Sequence, residues 1–524
     1  MQSFDLVAQR FEEKRPFLVS TMAFVIALAV GLVLTQLPIV GILGNTAVFA
    51  LLSTSPFLGA AVLLGLFLLI LRAPIVGLGL ALMAGPWGAI ESLFLGPTPL
   101  DSGQLFLFLT LSAWLLRGLG EQRIVIPKGS FYWPLFLFIG VAFLSLFDAQ
   151  SIQFGVQEML KWIEMWLIIG LVLSESERAP SKKQFVQQLL LMFLLAGFVQ
   201  ALIGIWQFGL RGIGPAHFII SGNFYRAYGS FEQPNPFGGL MHLTALLVIG
   251  ATTAYLPALW HFLKGSTHNL WQKKKLLFPK FPLWAIFLLV CGGTAVLSLL
   301  FSWSRGAWLG FAAGIGAIGL FWPQKRWIGF ASLIVAVASF TIAFQLNLVP
   351  ESIAQRLVGF VADFQLGDVR GVDINDTNYS VLERLAHWQA AVDMARDQLW
   401  LGVGFGNYEP AYAEYALINW PDPLGHAHNY YLNILAETGI IGLSAYLIFW
   451  IAVVLKTING IQVQTGLYRG VLLGLLGCWA AISVHHLVDK LYVNNLYIQF
   501  GVLLSLLLVV VKERKEKKEV RLVD

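Results

Sequence analysis

The sequence predicts an all-α protein, a polytopic bundle of membrane helices with a large extracytoplasmic helical loop between late spans. Three observations predict it. Hydrophobic residues make up 57% of the chain and charged residues only 12%, whereas soluble domains carry about 25% charged residues. Apolar runs of spanning length recur, and basic residues concentrate in alternate loops. This pattern excludes a disordered chain, a coiled coil and an ordinary cytosolic enzyme.

About fourteen apolar runs approach the roughly 20 residues that cross a bilayer, so we expect about 12–14 spans. The break at Arg72-Ala73-Pro74 separates the second run from the third. The runs are roughly 16–36, 47–71, 75–95, 104–118, 132–149, 158–174, 186–208, 237–258, 283–302, 307–322, 327–348, 430–455, 467–487 and 490–511.

The distribution of positive charge predicts the orientation. With the N-terminus inside, about three quarters of the 34 Lys and Arg residues fall in loops predicted to be cytoplasmic. We therefore expect a multi-pass protein of the inner (plasma) membrane with both termini cytoplasmic. No cleavable signal peptide is evident, because the first apolar run is long enough to span. The two cysteines, Cys291 and Cys478, lie in apolar runs and indicate neither a disulfide framework nor a multi-cysteine metal site.

These patterns divide the chain into five parts. We expect an N-terminal transmembrane bundle (1–208), a transmembrane core with arginine-bearing outer loops (209–348), an extracytoplasmic helical loop (349–429), C-terminal transmembrane helices (430–511) and a basic cytoplasmic tail (512–524).

The loop 349–429 is long enough to need its own structure. Helical spacing of apolar residues predicts a first helix through Ile353, Leu357, Phe360 and Phe364. Ser380 and Glu383 predict a capping box at the start of a second. We expect a small helical cap on the outer face of the membrane.

Some cations fall outside the alternating pattern, and each needs a local reason. Most are arginines, which suit bidentate binding of phosphate or carboxylate. Lys161 has a simple reason, a helical pair with Glu164. The set is Lys161, Arg211, Arg226, Arg305, Arg356, Arg370, Arg384, Arg396 and Lys490.

Three outward-facing segments carry candidate chemistry. Arg226 lies in the polar segment 225–238, and Arg305 lies in the tight turn 302–308. His428 precedes the span at 430, near a helix N-terminus that favours anions, and can act as a general base. Each has a structural alternative: an arginine that reaches lipid phosphate from a helix end, or a capping histidine.

Several weaker signals have two interpretations. His426 and His428 could form half of a metal site, but no neighbouring residue in the sequence completes it, so we expect no metal. Glu437 is a carboxylate within a predicted span. Such a group usually has a function, and the alternative is a purely structural pair. Arg384 could face the membrane site or only the acidic residues of its own loop. Gly402-Val-Gly404-Phe-Gly406 follows no predicted strand and is not a nucleotide loop.

Two positions near the last spans have structural interpretations. Asp489 and Lys490 predict a local ion pair in the last outer turn. His485 and His486 end a span and predict interfacial side chains.

Together, the arginines and the histidine would converge on one membrane face under a helical cap. That arrangement suits a substrate with a lipid tail, a phosphate-rich head and a reacting hydroxyl. The arginines would neutralise a departing diphosphate, and the histidine would accept a proton from the hydroxyl.

These segments resemble the superfamily of O-antigen ligases and polymerases. The resemblance rests on the segment 226–236, on Ser304-Arg305-Gly306-Ala307, on the glycines of 402–406 and on His428-Asn429 followed by Glu437-Thr438-Gly439. Their order and spacing match over roughly 220–445.

The resemblance implies a membrane glycosyltransferase. It would transfer a glycan from a polyprenyl diphosphate carrier, such as undecaprenyl diphosphate, to an acceptor (lipid A core, another glycolipid or a protein) at the extracytoplasmic face. It further implies that Arg226 and Arg305 bind the diphosphate and that His428 activates the acceptor hydroxyl. Further substrate-binding candidates are Arg384, Asn429, Glu437 and Tyr228.

The expected partners are the lipid-linked donor, a lipid or glycan acceptor and membrane lipids. No cofactor, metal or nucleic acid is expected, and a monomer is favoured. Two alternatives share the same motifs. One is a polysaccharide polymerase on the same fold, and the other is a transporter relative linked to inorganic-carbon uptake. A transporter should show ion sites at discontinuous helices near the midplane.

Overall fold

A computed structural model describes residues 56–95, 101–122, 132–256, 281–356, 368–375 and 378–520. Over these residues the chain is an all-α bundle, as predicted. The first predicted span, 16–36, lies outside the described residues, as do Leu357, Phe360 and Phe364 of the predicted first cap helix.

The described helices follow one another closely. They are α1 (Pro56–Arg72), α2 (Pro74–Ala84), α3 (Gly88–Leu95), α4 (Ser102–Gly120), α5 (Trp133–Ser145), α6 (Ile152–Arg178), α7 (Lys182–Ile205), α8 (Pro234–Thr253), α9 (Phe281–Phe301), α10 (Arg305–Phe321), α11 (Arg326–Gln345), α12 (Tyr379–Asp397), α13 (Tyr408–Tyr415), α14 (Tyr430–Val463), α15 (Gly466–His485) and α16 (Leu496–Val520). A short antiparallel hairpin, β1 (Ile219–Ser221) and β2 (Phe224–Tyr225), precedes α8.

Eight helical runs within the described residues are long and apolar enough to cross a membrane. Three shorter apolar helices, Trp133–Asp148, Arg305–Phe321 and Leu496–Val511, accompany them. Within the described residues, which begin at 56, each predicted span overlaps a helix or a broken helical run. The predicted span at 75–95 is the broken one: a 3₁₀ turn at Gly85–Trp87 interrupts it, because Pro86 lacks the N–H that a continuous α-helix uses.

The helix α6 defines the two ends of the bundle. It has 27 residues, a length of about 40 Å. At its start, the Ser151 N–H donates to Asn407 Oδ1 of the 349–429 segment at 2.7 Å. At its other end, Arg178 pairs with Glu121 at 2.6 Å. The basic helix ends therefore gather opposite the 349–429 segment; which end faces the cytoplasm stays a prediction.

Small residues bring three helices close together. A Cβ added to Gly250 of α8 would lie 2.2 Å from the backbone nitrogen of Gly474 in α15. A Cβ on Gly310 of α10 would lie 2.7 Å from the Ala481 carbonyl of α15. Such contacts allow backbones in a membrane to approach closely. They bring together the N-termini of α8 and α10 and the C-terminus of α15.

The 349–429 segment, which we call the cap, packs into a kink in α14. Gly439 adopts φ 63°, outside the helical region. The freed Ile440 N–H donates to the Leu399 carbonyl at 2.9 Å, and the Val403 N–H donates to the Ala436 carbonyl at 2.9 Å. Gly402, at φ 68°, makes this approach feasible, since a Cβ there would lie 2.4 Å from the Ala436 oxygen.

The predicted capping box at Ser380 is wrong. The helix α12 begins at Tyr379, and its N-cap, Asn378, makes no side-chain cap hydrogen bond. Ser380 is already helical, and its Oγ lies 3.4 Å from a guanidinium nitrogen of Arg305. The Glu383 carboxylate interacts with the Tyr379 hydroxyl. The Ser380 hydroxyl therefore accepts from Arg305, a residue distant in sequence, and does not cap the helix.

We expect Gly402→Ala to destabilise the fold strongly. The substitution adds the cost of a left-handed backbone, about 1–2 kcal/mol, to a clash with the α14 backbone. Gly371→Ala is the control, because Gly371 shares a positive φ of 80° but has no atom within 4 Å of its added Cβ. Melting temperatures in detergent measure the difference. Equal losses in the two variants would contradict the inserted packing of the cap.

Candidate functional site

The first two predicted segments meet at the cap end of the bundle. The hairpin lies against the end of α9: the Arg226 N–H donates to the Phe218 carbonyl at 2.8 Å, and the Ala227 N–H donates to the Phe301 carbonyl at 2.9 Å. This placement directs the Arg226 side chain to the turn before α10, where its Nε donates to the Ser302 carbonyl at 3.0 Å.

Four arginines converge there, two from the membrane body and two from the cap. Arg305 is the first residue of α10, and one of its terminal nitrogens lies 3.4 Å from Ser380 Oγ. Arg384 donates to the carbonyl of the same Ser380. Arg356 donates to the Trp303 carbonyl at 3.1 Å. Arg384 also interacts through its charge with Arg226 and Asp489 of the membrane body; its part in substrate binding stays a prediction.

The cluster carries excess positive charge. Burial, followed by the guanidinium groups of Arg356, Arg384 and Arg305, lowers the pKa of Arg226 to about 9. Arg226 therefore stays cationic at neutral pH. Burial and Arg384 also lower the pKa of Arg356. Among the described residues, no carboxylate lies within ion-pair distance of Arg226, Arg356 or Arg384, so the cluster suits an anionic ligand.

Asp489 is a buried acidic group that faces this cluster. Its carboxylate interacts with Arg384 and Arg226 and with the side chain of Asn235, while burial raises its pKa. Asn235 Oδ1 in turn accepts a hydrogen bond from Ser304 Oγ at 2.8 Å. Asp489 thus connects the last outer turn to the N-termini of α8 and α10.

The predicted ion pair between Asp489 and Lys490 is wrong. The Lys490 ammonium lies 2.8 Å from Glu158 Oε1 in α6, and only its backbone N–H donates to Asp489, at 2.8 Å. Lys161 also pairs with Glu158 and not with the predicted Glu164. Asp489 is therefore left to face the arginines and histidines.

His428 has the properties of a general base. Its backbone adopts φ 50°, and its N–H donates to His426 Nδ1 at 3.0 Å. Both ring nitrogens are buried and have no hydrogen-bond partner in the part of the chain that the structure describes. Burial, His426, Arg384 and His387 lower its pKa well below the usual value. The imidazole is therefore neutral, with a lone pair available for a proton.

The remaining predicted substrate-binding residues make structural contacts. Asn429 caps α14, since its Oδ1 accepts from the Tyr431 N–H at 3.0 Å and from the following amide. Tyr228 accepts a hydrogen bond from Arg211 at 2.8 Å. Glu437 faces the cap, where its Oε1 accepts from the Tyr408 N–H at 3.3 Å.

Two predicted interfacial histidines are instead buried. His485 and His486 have no exposed surface, and His485 Nδ1 lies 3.2 Å from Nε2 of His242 in α8. The close packing of α8, α10 and α15 encloses them, which the sequence pattern of a span end did not indicate.

Three groups lie close enough to hold a metal ion. His426, His428 and Asp489 offer ligand atoms that all lie within 4.8 Å of one another. The third group was not expected from the sequence, because two helices separate Asp489 from His428 along the chain. The neighbouring guanidinium groups repel a cation, however, and favour an anion at the same place.

Comparison with protein families identifies the central part of this site. Residues 286–447 match the family model for O-antigen ligase. The match covers α10, the cap and the start of α14, and therefore Arg305, Arg356, Arg384 and His428. No curated protein matches the chain.

The arginine cluster should bind inorganic diphosphate. We expect diphosphate to raise the melting temperature of the purified protein more than equimolar sulfate does, because binding to the folded state stabilises it. Arg226→Gln should remove most of this rise. Arg396→Gln is the control, since Arg396 is an exposed arginine of α12 that pairs with Asp393 at 2.9 Å. Equal shifts in both variants would exclude this cluster as the anion site.

Proposed function

We propose that this chain is a membrane enzyme of the O-antigen ligase type, as the family match over residues 286–447 supports. It transfers a glycan from a polyprenyl diphosphate carrier to an acceptor hydroxyl, at the extracytoplasmic face of the inner membrane. One observation carries the proposal: His428, a neutral histidine whose ring nitrogens have no hydrogen-bond partner among the described residues, interacts with Arg384 of the cluster of four arginines.

The donor is assigned from charge and surroundings. A diphosphate supplies negative charge to the arginine cluster, and among the described residues no carboxylate lies within ion-pair distance of Arg226 or Arg384. The cluster lies at the ends of apolar helices, so a carrier with a polyprenyl tail can keep its tail in the bilayer while its head group reaches the arginines. Arginine geometry favours phosphate oxygens, to which it donates in pairs.

The reaction needs one proton transfer. The acceptor hydroxyl attacks the anomeric carbon of the glycan while His428 accepts the hydroxyl proton. The bond between the anomeric carbon and the diphosphate oxygen breaks, and its electron pair leaves with the polyprenyl diphosphate. Arg226 and Arg305 stabilise the charge that develops on this leaving group.

The other site residues hold this geometry. Asp489 lies 4.0 Å from His428 Nδ1 and stabilises the imidazolium once it forms. Asn429 fixes the start of α14 directly after His428. Glu437 anchors the cap loop, and Tyr228 with Arg211 shapes the wall beside Arg226. We assign Glu437 and Tyr228 positioning roles.

A polymerase remains the second candidate, since addition of repeat units to a growing chain uses the same donor, base and arginines. The position of the cluster supports chemistry at the surface over transport. Arg226 and Arg305 lie at the cap end of the membrane body, where Arg356, Arg384 and His428 of the cap meet them, whereas transporter sites lie near the midplane.

Purified protein in nanodiscs should release polyprenyl diphosphate from a lipid-linked glycan when an acceptor is present. We expect His428→Ala and Arg305→Ala each to lower the rate at least about 100-fold, as loss of a base or of a transition-state donor does. The matched controls are His217→Ala, at an exposed position just before the hairpin, and Arg396→Ala, at an exposed position of α12. EDTA should leave the rate unchanged.

The product of that assay separates the two candidates, because a ligase moves one finished glycan and a polymerase lengthens the chain. If His428→Ala and Arg305→Ala retain the wild-type rate, or carrier lipid fails to bind, the glycan-transfer proposal is wrong.

The pH dependence should differ between free and occupied enzyme. Burial and neighbouring cations lower the pKa of His428 in the empty site, so kcat/KM should stay constant below pH 6.5 before it falls in acid. Bound diphosphate adds negative charge that favours the imidazolium, so kcat should fall at a higher pH than kcat/KM. Pre-steady-state measurements across pH 4–8 test this order; the reverse order would contradict the neutral-base assignment.

A further inference from the structure

We propose that Arg356, carried by the cap, is a fourth ligand of the diphosphate and acts on the charge that appears as the glycosidic bond breaks. The inference rests on the proposed function above and adds a residue to the same site. It predicts that the cap takes part in the reaction through its own guanidinium groups.

The position of Arg356 follows from two adjacent carbonyl groups. Arg356 lies in the helical segment 351–356, and one of its terminal nitrogens donates to the Trp303 carbonyl at 3.1 Å. The preceding carbonyl, of Ser302, accepts from Arg226 Nε at 3.0 Å. Trp303 adopts φ 55°, a conformation that costs energy in a non-glycine residue. This strained turn holds a cap arginine and a body arginine side by side.

The guanidinium of Arg356 still has donors to offer. Its Nε is buried and has no acceptor among the residues that the structure describes. A buried donor without an acceptor is unfavourable, and a phosphate oxygen at this place would satisfy it. Arg356 also interacts with Arg384 and Arg226, both cationic, so an anion between these groups would relieve their repulsion.

The charges favour the leaving group over the intact donor. Among the four arginines and Asp489, positive charge exceeds negative charge. A glycan joined to a polyprenyl diphosphate carries two negative charges. When the bond to the anomeric carbon breaks, the electron pair stays on the diphosphate oxygen and the leaving group carries three. The guanidinium of Arg356 stabilises the negative charge that the leaving group gains during the reaction. Arg356 therefore lowers the barrier more than it strengthens binding of the donor.

Steady-state kinetics of Arg356→Gln test this assignment. We expect kcat to fall about 100-fold, the lower end of the range for loss of one charge-stabilising donor, while KM for the donor changes by less than about threefold because ground-state binding is largely kept. Arg356→Lys keeps the charge but not the paired donors and should retain part of the rate. Arg370→Gln is the control, an exposed cap arginine that pairs with Asp368 at 3.0 Å.

Product inhibition separates ligand binding from a role in holding the cap. Polyprenyl diphosphate and polyprenyl monophosphate share a tail but differ in charge. Arg356→Gln should weaken inhibition by the diphosphate at least about tenfold more than inhibition by the monophosphate, because charged hydrogen bonds to the second phosphate are lost. Equal weakening of both, together with faster proteolysis of the cap, would show that Arg356 only fastens the cap to Trp303 and would overturn the inference.

Parallel assays of Arg305→Ala distinguish the two proposals. If Arg305→Ala abolishes transfer and Arg356→Gln matches the wild type in kcat and in both inhibition constants, this inference alone fails. If Arg305→Ala and His428→Ala also retain activity, the proposed function fails. Should Arg356→Gln not fold, Arg356→Lys decides: an unchanged kcat and an unchanged ratio of the two inhibition constants would overturn the inference.

Discussion

Repulsion among four guanidinium groups is the constraint on which the rest of this site depends. Each pair of like charges this close costs on the order of 1–4 kcal/mol at an effective dielectric of about 20, and Asp489 is the acidic group that opposes them. The protein holds the groups in place with neutral acceptors, the carbonyls of Ser302, Trp303 and Ser380. Carbonyl groups orient arginines without cancelling their charge, so the site keeps its attraction for an anion.

The bundle and the cap share the task of holding that geometry. Close contacts between small residues of α8, α10 and α15 fix the body arginines and Asp489 relative to one another. The cap is fixed separately, through the kink at Gly439 and through Glu437. Beneath them, Lys490 pairs with Glu158 of α6, which ties the last outer turn to a second helix. A displacement at any of these contacts would move one pair of arginines relative to the other.

The sequence predicted the helices well, because apolar length and capping are local properties. It also predicted that Arg226, Arg305 and His428 share one membrane face, and it left two alternatives open for Arg384. It could not predict partners that tertiary packing brings together. Arg356 was a cation without a partner in the sequence, and Asp489 was assigned to Lys490 because that residue is adjacent. The glycines at 402–406 looked like a ligand loop, yet they permit backbone contact with Ala436 and neighbouring helices.

The kink in α14 bears on the choice between chemistry and transport. Transporters use the freed backbone groups of a broken helix to bind ions or substrate. Here the amide freed at Gly439 donates to the Leu399 carbonyl of the cap, and the Ala436 carbonyl accepts from Val403. The kink therefore holds the cap, because the Ile440 N–H and the Ala436 carbonyl form hydrogen bonds with cap residues. The ring nitrogens of His428 and the Nε of Arg356 are buried without a hydrogen-bond partner among the described residues, and we propose that a diphosphate and a hydroxyl meet beside them. A kinked helix that holds a cap carrying such atoms fits a surface transferase better than a pathway across the membrane.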